Sequence, residues 1–169
     1  MRKVFRFVDS VNDFVGEKLK FVVLFMIAVI CAEVFMRYVL NKPTVELPVI
    51  QTWTGTTLYV LAFGYVMLKK AHVRVDVLYS RFSDRWKAIV DSVLWFVFFL
   101  PALGLLLYTG FNWVEYALRI GERSNLTFWY PPTAPIRIIF MVGMSLFLLQ
   151  GVVTLIRDLY MAVRNKPYD

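Results

Sequence analysis

The 169 residues contain one cysteine, Cys31, and one histidine, His72. A single cysteine forms no internal disulfide, and a cysteine-based metal cluster needs several thiolates, so both frameworks are excluded. A lone histidine also excludes haem held between two histidines. Charge is scarce: 18% of the residues are Asp, Glu, Lys or Arg, where soluble domains carry about 25%. Apolar residues are abundant, at 59%, and 17% of the chain is Phe, Trp or Tyr. With a mean hydropathy of +0.61, this composition excludes both an ordinary water-soluble globule and a disordered chain. It leaves a membrane protein.

A bilayer core of about 30 Å takes about 20 helical residues at 1.5 Å each. Residues 47–68, 92–114 and 138–156 are free of charge and meet or approach that length. Residues 21–40 are also long enough, interrupted only by Glu33 and Arg37 near one end. Barrel strands would alternate polar and apolar residues, and these runs do not. The expectation is an all-α membrane protein forming one integral membrane domain over 1–169, with four transmembrane helices. The first run is too long for a cleavable signal and lacks a small-x-small site near its end, so it is expected to stay as a signal anchor.

Fourteen of the nineteen Lys and Arg residues lie before the first run, between the second and third, or after the fourth. All the loops are short, so the positive-inside rule places both termini and the middle loop in the cytoplasm. The net charge of +7 is then a topology signal and an attraction for anionic membrane lipid. Nucleic acid is not an expected partner, because the basic residues are split among three segments without a recognition motif. Trp53, Trp113, Trp129 and Tyr130 fall at the outer level and Trp86 at the inner one, as interfacial anchors do. Trp95 lies deeper and is expected to pack.

Along residues 2–19, Val4, Phe7, Val8, Val11, Phe14, Val15 and Leu19 recur at spacings of three and four, with Asp9, Asn12, Asp13 and Glu17 opposite. That pattern predicts an N-terminal amphipathic helix along the cytoplasmic interface, or else packed on a partner's loop. Glu33 and Arg37 stand four apart, within ion-pair reach; they either neutralise each other or face a partner subunit. Glu46 and Pro48 suit the first turn of the second helix. Thr52, Thr56 and Tyr59 share a face that reads as a helix–helix contact. Ser83 reads as the N-cap of the third helix, Pro101 as a kink, and Gly121 as a terminator. Gln150 needs a polar partner, most simply on another helix.

His72, Arg74 and Asp76 alternate with valines in the middle loop. A histidine and a carboxylate could form a general-base pair, but no nucleophile or second metal ligand stands at useful spacing. The expectation is a hydrogen-bonded turn near lipid headgroups, with no catalytic, metal or cofactor-binding residue and no cofactor. The chain also lacks the internal repeat and mid-membrane acids that mark a substrate site in secondary transporters.

Several short stretches then act together. Arg37-Tyr38-Val39-Leu40-Asn41-Lys42-Pro43 is followed by Glu46, Trp53 and Gly64, and by His72-Val73-Arg74-Val75-Asp76. Glu122-Arg123-Ser124, Pro131-Pro132 and Leu149-Gln150 complete the pattern. Over roughly residues 20–160 this resembles the small membrane subunit (DctQ-like) of tripartite ATP-independent periplasmic (TRAP) transporters. That family shows Arg-Tyr-x-Phe-Asn-x-Pro at the end of helix one; here Leu40 replaces the Phe. It often shows Trp-x-Glu-Glu before helix two; Thr44-Val45-Glu46-Leu47 keeps one acid and lacks the Trp.

The resemblance implies a bacterial inner-membrane location and two partners, a large multi-helix TRAP membrane subunit and a periplasmic substrate-binding protein. It implies sodium-coupled uptake of organic acids or related solutes, with the sodium and solute sites in the large subunit. The small subunit would be a static, non-catalytic scaffold. Arg37, Asn41, Glu46, His72, Arg74, Asp76 and Gln150 would be its motif positions, fixing loops and contacting the other subunit. Two other classes compete: a membrane anchor subunit of a redox enzyme complex, and a small lipid-headgroup enzyme using His72 and Asp76.

Overall fold

The computed structural model describes residues 2–71, 82–125 and 127–164, and all its regular elements are helical. In chain order they are α1 (Arg2–Tyr38), α2 (Glu46–Leu68), α3 (Asp84–Leu94), a π-helical turn (Trp95–Phe99), α4 (Leu100–Ile120) and α5 (Ala134–Arg164). The π turn joins α3 and α4 without a break, so the architecture is four rods. They alternate in direction: Asp13 meets Lys69, Asp9 meets Arg157, and Arg85 meets Ala162 at one end. At the other end Glu33 meets Thr44, and Trp113 meets Arg137. The ends of α1 and α5 nearest the two termini therefore share one end of the bundle.

The rods form a layer in which α5 lies between α2 and the α3–α4 rod, while α1 packs along α2 and reaches α5. Val60, Leu103 and Met144 form the core cluster, with Phe99, Leu107, Phe140, Phe147 and Leu148 against it. Phe147 packs tilted against Phe63 and edge-on against Phe99, at 5.5 and 4.9 Å between centroids. Apolar side chains also cover the outside, among them Phe25, Phe35, Leu105, Tyr108 and Phe111. Only 17% of the most apolar window of α1 is buried within the chain. Helices apolar on all sides are solvated by lipid or by a partner.

Two expected elements, 2–19 and 21–40, are one helix. The heptad steps Phe5, Asn12 and Leu19 are buried and continue to Glu33, so a single face runs along the rod and no interfacial helix branches from it. Part of the polar face of residues 2–19 is enclosed within the chain. Asn12 turns inward, while Phe7, Phe14 and Phe21 form an exposed apolar stripe. A polar face was expected to seek water, but here it finds polar partners on α5.

Among the described residues, three rods are long and apolar enough to cross a membrane: Arg2–Tyr38, Arg85–Ile120 and Ala134–Arg164. The 23-residue α2 is long enough but diluted by threonines. Thr52, Thr54, Thr56 and Thr57 each donate to the carbonyl four residues back, at 2.7–2.9 Å. Their hydroxyls therefore need no partner beyond the helix. The expected contact stripe does not pack within the chain: Thr52 and Tyr59 are exposed, and Val60 and Gly64 make the inward face of α2.

Pro101 has no N–H to donate and its ring crowds the carbonyl four residues back. The helix accommodates it with the π turn just before it, where the Leu100 amide reaches back to Trp95. Trp95 is buried there against Phe96 and Phe99. α4 ends at Gly121, whose φ of 61° needs glycine's freedom, and the Glu122 amide closes back on Ala117 at 3.0 Å. Ser83 is the N-cap of α3, but its hydroxyl makes no capping bond.

Candidate functional site

Polar side chains inside an apolar layer are costly unless paired, so their clusters are where specific contacts concentrate. At the end shared by the termini, Asn12 Nδ2 donates to Gln150 Oε1 at 2.9 Å and to the Val8 carbonyl at 3.1 Å. Gln150 Nε2 donates to Asp9 Oδ1 at 3.0 Å, and Arg157 Nη2 to Asp9 Oδ2 at 2.7 Å. Asn12 and Gln150 are both fully buried. Asn12 Oδ1 has no hydrogen-bond partner and rests against the Gly64 backbone, where a side chain would collide with it. The polar chain thus ties α1 to α5 and seats both against α2.

Beside it, Lys69 Nζ lies 2.6 Å from Asp13 Oδ1. The hydrogen bond to Asp13 holds the Lys69 ammonium above its ordinary pKa, against the opposing effect of burial, with the negative charges of Asp13 and Glu17 adding to the rise. α2 ends here in a Schellman motif: Lys70 takes φ 52°, its amide donates to Met67, and the Ala71 amide donates to Val66.

Two clusters occupy the opposite end. Glu33 is buried, accepts from Arg37 Nη2 at 2.6 Å and from the Thr44 hydroxyl, and so binds the first loop to α1. Arg137 is 7% exposed. It donates to Glu122 Oε1 at 2.6 Å and to the Trp113 carbonyl at 2.9 Å, with its guanidinium 4.1 Å from the Trp113 ring centroid. A planar cation with several donors suits such a three-way contact. The loop from Glu122 to Thr133 is closed by a bridge between Arg123 and Pro132 and by the Thr133 amide on the Glu122 carbonyl.

The motif positions divide accordingly. Arg37 is committed to Glu33. Asn41 is exposed with φ 50°, a conformation asparagine tolerates well, and the Lys42 amide turns back to Met36, so this position ends α1. Glu46 opens α2 and accepts from the Val45 amide at 3.1 Å. Gln150 has its helix partner, but within the same chain and fully enclosed, so it offers no surface to another subunit. His72, Arg74 and Asp76 lie outside the described residues. The sequence reading missed Asp9 and Asn12 as the partners of Gln150, and Arg157 as that of Asp9; the signal was present in a polar side chain on each helix, one needing the other.

Chemically, each cluster joins an acid to a cation of the same chain. No group of three or more His, Cys, Asp or Glu is placed to hold a metal among the described residues. Comparison with curated proteins and with solved structures finds no match. The family described as "Tripartite ATP-independent periplasmic transporters, DctQ component" matches residues 26–160. That stretch holds the first-loop cluster, all of α2 to α4, and α5 through Tyr160. By this match over most of its length, the chain belongs to the DctQ family, the small membrane component of TRAP transporters.

Proposed function

We propose that the chain is the non-catalytic scaffold of a sodium-coupled, binding-protein-dependent transporter of organic acids or related solutes, bracing the large membrane subunit that carries the sodium and solute sites. All four rods cross the bacterial inner membrane, with both termini and the segment between α2 and α3 in the cytoplasm. The concentration of Lys and Arg at that end supports this orientation.

One observation carries the scaffold reading: the acid of each cluster is neutralised within the chain, the buried Glu33 by Arg37 and the partly buried Glu122 and Asp9 by Arg137 and Arg157. Groups held this way stabilise a fixed arrangement; a transport path needs ionisable groups that can take up and release a partner. The large exposed apolar area supports contact with lipid and with the large subunit. The test is affinity purification of the tagged chain from mild detergent. The large subunit is expected to come with it at fixed stoichiometry. Recovery of a stable monomer that transports solute by itself would contradict the proposal.

A further inference from the structure

A groove of about 440 Å³ opens between the end of α2, the junction of α3 with the π turn, and α5. Its lining is ordered by depth. Asp91 stands on its α3 side, just before the charge-free run that begins at Ser92. Asp158 stands on its α5 side, just after the run that ends at Ile156. One turn further into the bundle come Trp95 and Thr154, and beyond Trp95 come Phe98 and Phe99. From Asp91 to Phe99 is about 12 Å of helix at 1.5 Å per residue. The groove therefore passes from two carboxylates at the end shared by the termini to aromatic rings inside the apolar layer.

A second observation lies within it. Trp95 is 9% exposed, and its Nε1–H is shielded from solvent without an acceptor in the chain. A buried donor left unpaired is costly and calls for an acceptor from outside. Gly151, about one turn deeper than Thr154 on α5, keeps the space beside that nitrogen clear. A Cβ there would collide with the Phe99 ring and lie 3.1 Å from Nε1. Trp95, Phe98 and Phe99 all belong to the π turn, an irregularity frequent at functional sites.

We infer that this groove is a binding site for an inner-leaflet phospholipid with a primary-ammonium headgroup. The ammonium lies between Asp91 and Asp158, an ester carbonyl one turn deeper accepts from Trp95 Nε1, and an acyl chain runs against Leu94, Phe98 and Phe99. The order of the lining selects this occupant. An anionic headgroup would meet two carboxylates, and a quaternary ammonium has no proton to give them. Both acids already have contacts within the chain, and a carboxylate has lone-pair sites for a further donor. The site rests on the reading that places this end of the bundle at the cytoplasmic side.

The test is native mass spectrometry of the full-length chain, alone and co-purified with its large subunit, titrated with dioleoyl phosphatidylethanolamine, phosphatidylcholine or phosphatidylglycerol. Phosphatidylethanolamine is expected to bind most tightly. Asp91→Asn and Asp158→Asn are expected to weaken it about threefold each, the scale of a half-exposed ion pair, and together to erase its lead over phosphatidylglycerol. Trp95→Phe, which keeps a ring and removes the donor, is expected to weaken all three lipids alike. Asp91 and Asp158 are only partly buried, so their variants test the site even where Trp95→Phe fails to fold. Equal binding of the three lipids, an unchanged preference in both aspartate variants, or loss of the adduct when the large subunit is present would overturn the site. Co-purification of the large subunit with the aspartate variants separates failure of this site from failure of the scaffold reading.

Discussion

Asn12 and Gln150, 138 positions apart in the chain, share a 2.9 Å hydrogen bond in which both side chains are fully shielded from solvent. It is a buried link between the first and last rods, and it is extended by Asp9 and Arg157 into a chain of polar contacts. Replacing Gln150 by Leu strands a donor on Asn12 and costs about 1–2 kcal/mol. Replacing both by Leu is expected to cost less than the sum of the singles, by about 0.6 kcal/mol, the average for side-chain pairs within membrane proteins. Thermal unfolding of the four variants in detergent measures that coupling; strict additivity would mean the pair does not act as a unit.

The close approach of α2 to α5 depends on Gly143. A methyl group there would collide with the Val60 side chain and lie 2.8 Å from the Val60 carbonyl oxygen, which belongs to a helix backbone and cannot move aside. Gly143→Ala is expected to destabilise by about 2–3 kcal/mol, as overpacking does. At Gly64 the obstacle is a side chain and not a backbone, but moving Asn12 gives up its bond to Gln150, so Gly64→Ala is expected to cost about 1–2 kcal/mol, less than Gly143→Ala. Gly104 faces open space, and Gly104→Ala is expected to stabilise by about 0.5–1 kcal/mol through helix propensity. The ranking of the three melting temperatures is the check.

Arg137 holds the loop between α4 and α5 to α4 through Glu122 and Trp113. Lysine keeps the charge but cannot serve a carboxylate, a carbonyl and a ring face at once. Arg137→Lys is expected to lose most of the contact, and Arg137→Ala to cost about 3 kcal/mol by leaving Glu122 uncompensated. The emission of Trp113, followed with the other four tryptophans replaced by Phe, should shift in both variants. An unchanged spectrum and melting temperature would contradict the role given to the arginine.

Raising the pH should weaken the end of the bundle where Asp13 holds Lys69. The folded-state pKa of Lys69 lies above its ordinary value of 10.5, so the contribution is complete at neutral pH. It is lost as the pH climbs through that raised folded value. Stability of the unmodified chain is expected to fall more steeply than that of Lys69→Met between about pH 10 and 12. Parallel curves for the two proteins would show that the pair contributes nothing.

The rods were legible because lipid-facing helices leave long uncharged runs, and Gly121 marked an end that its left-handed backbone explains. Glu33 and Arg37 were legible as a pair because four residues bring them to one face. The course of residues 2–19 was not. A polar stripe opposite an apolar one has the same sequence signature whether the polar side meets water or the polar side chains of another helix. Only the distant Gln150 and Arg157 decide between them. The tie between Arg137 and Glu122 was out of reach because they stand fifteen positions apart with a loop of unknown course between them.

The central claim is that this subunit supports transport without carrying any. Proteoliposomes holding the whole complex with its binding protein, and others holding this chain alone, should be compared under an inward sodium gradient for uptake of radiolabelled organic acid. The account predicts accumulation in the first and none above empty vesicles in the second. Sodium-dependent accumulation by the chain alone would contradict it.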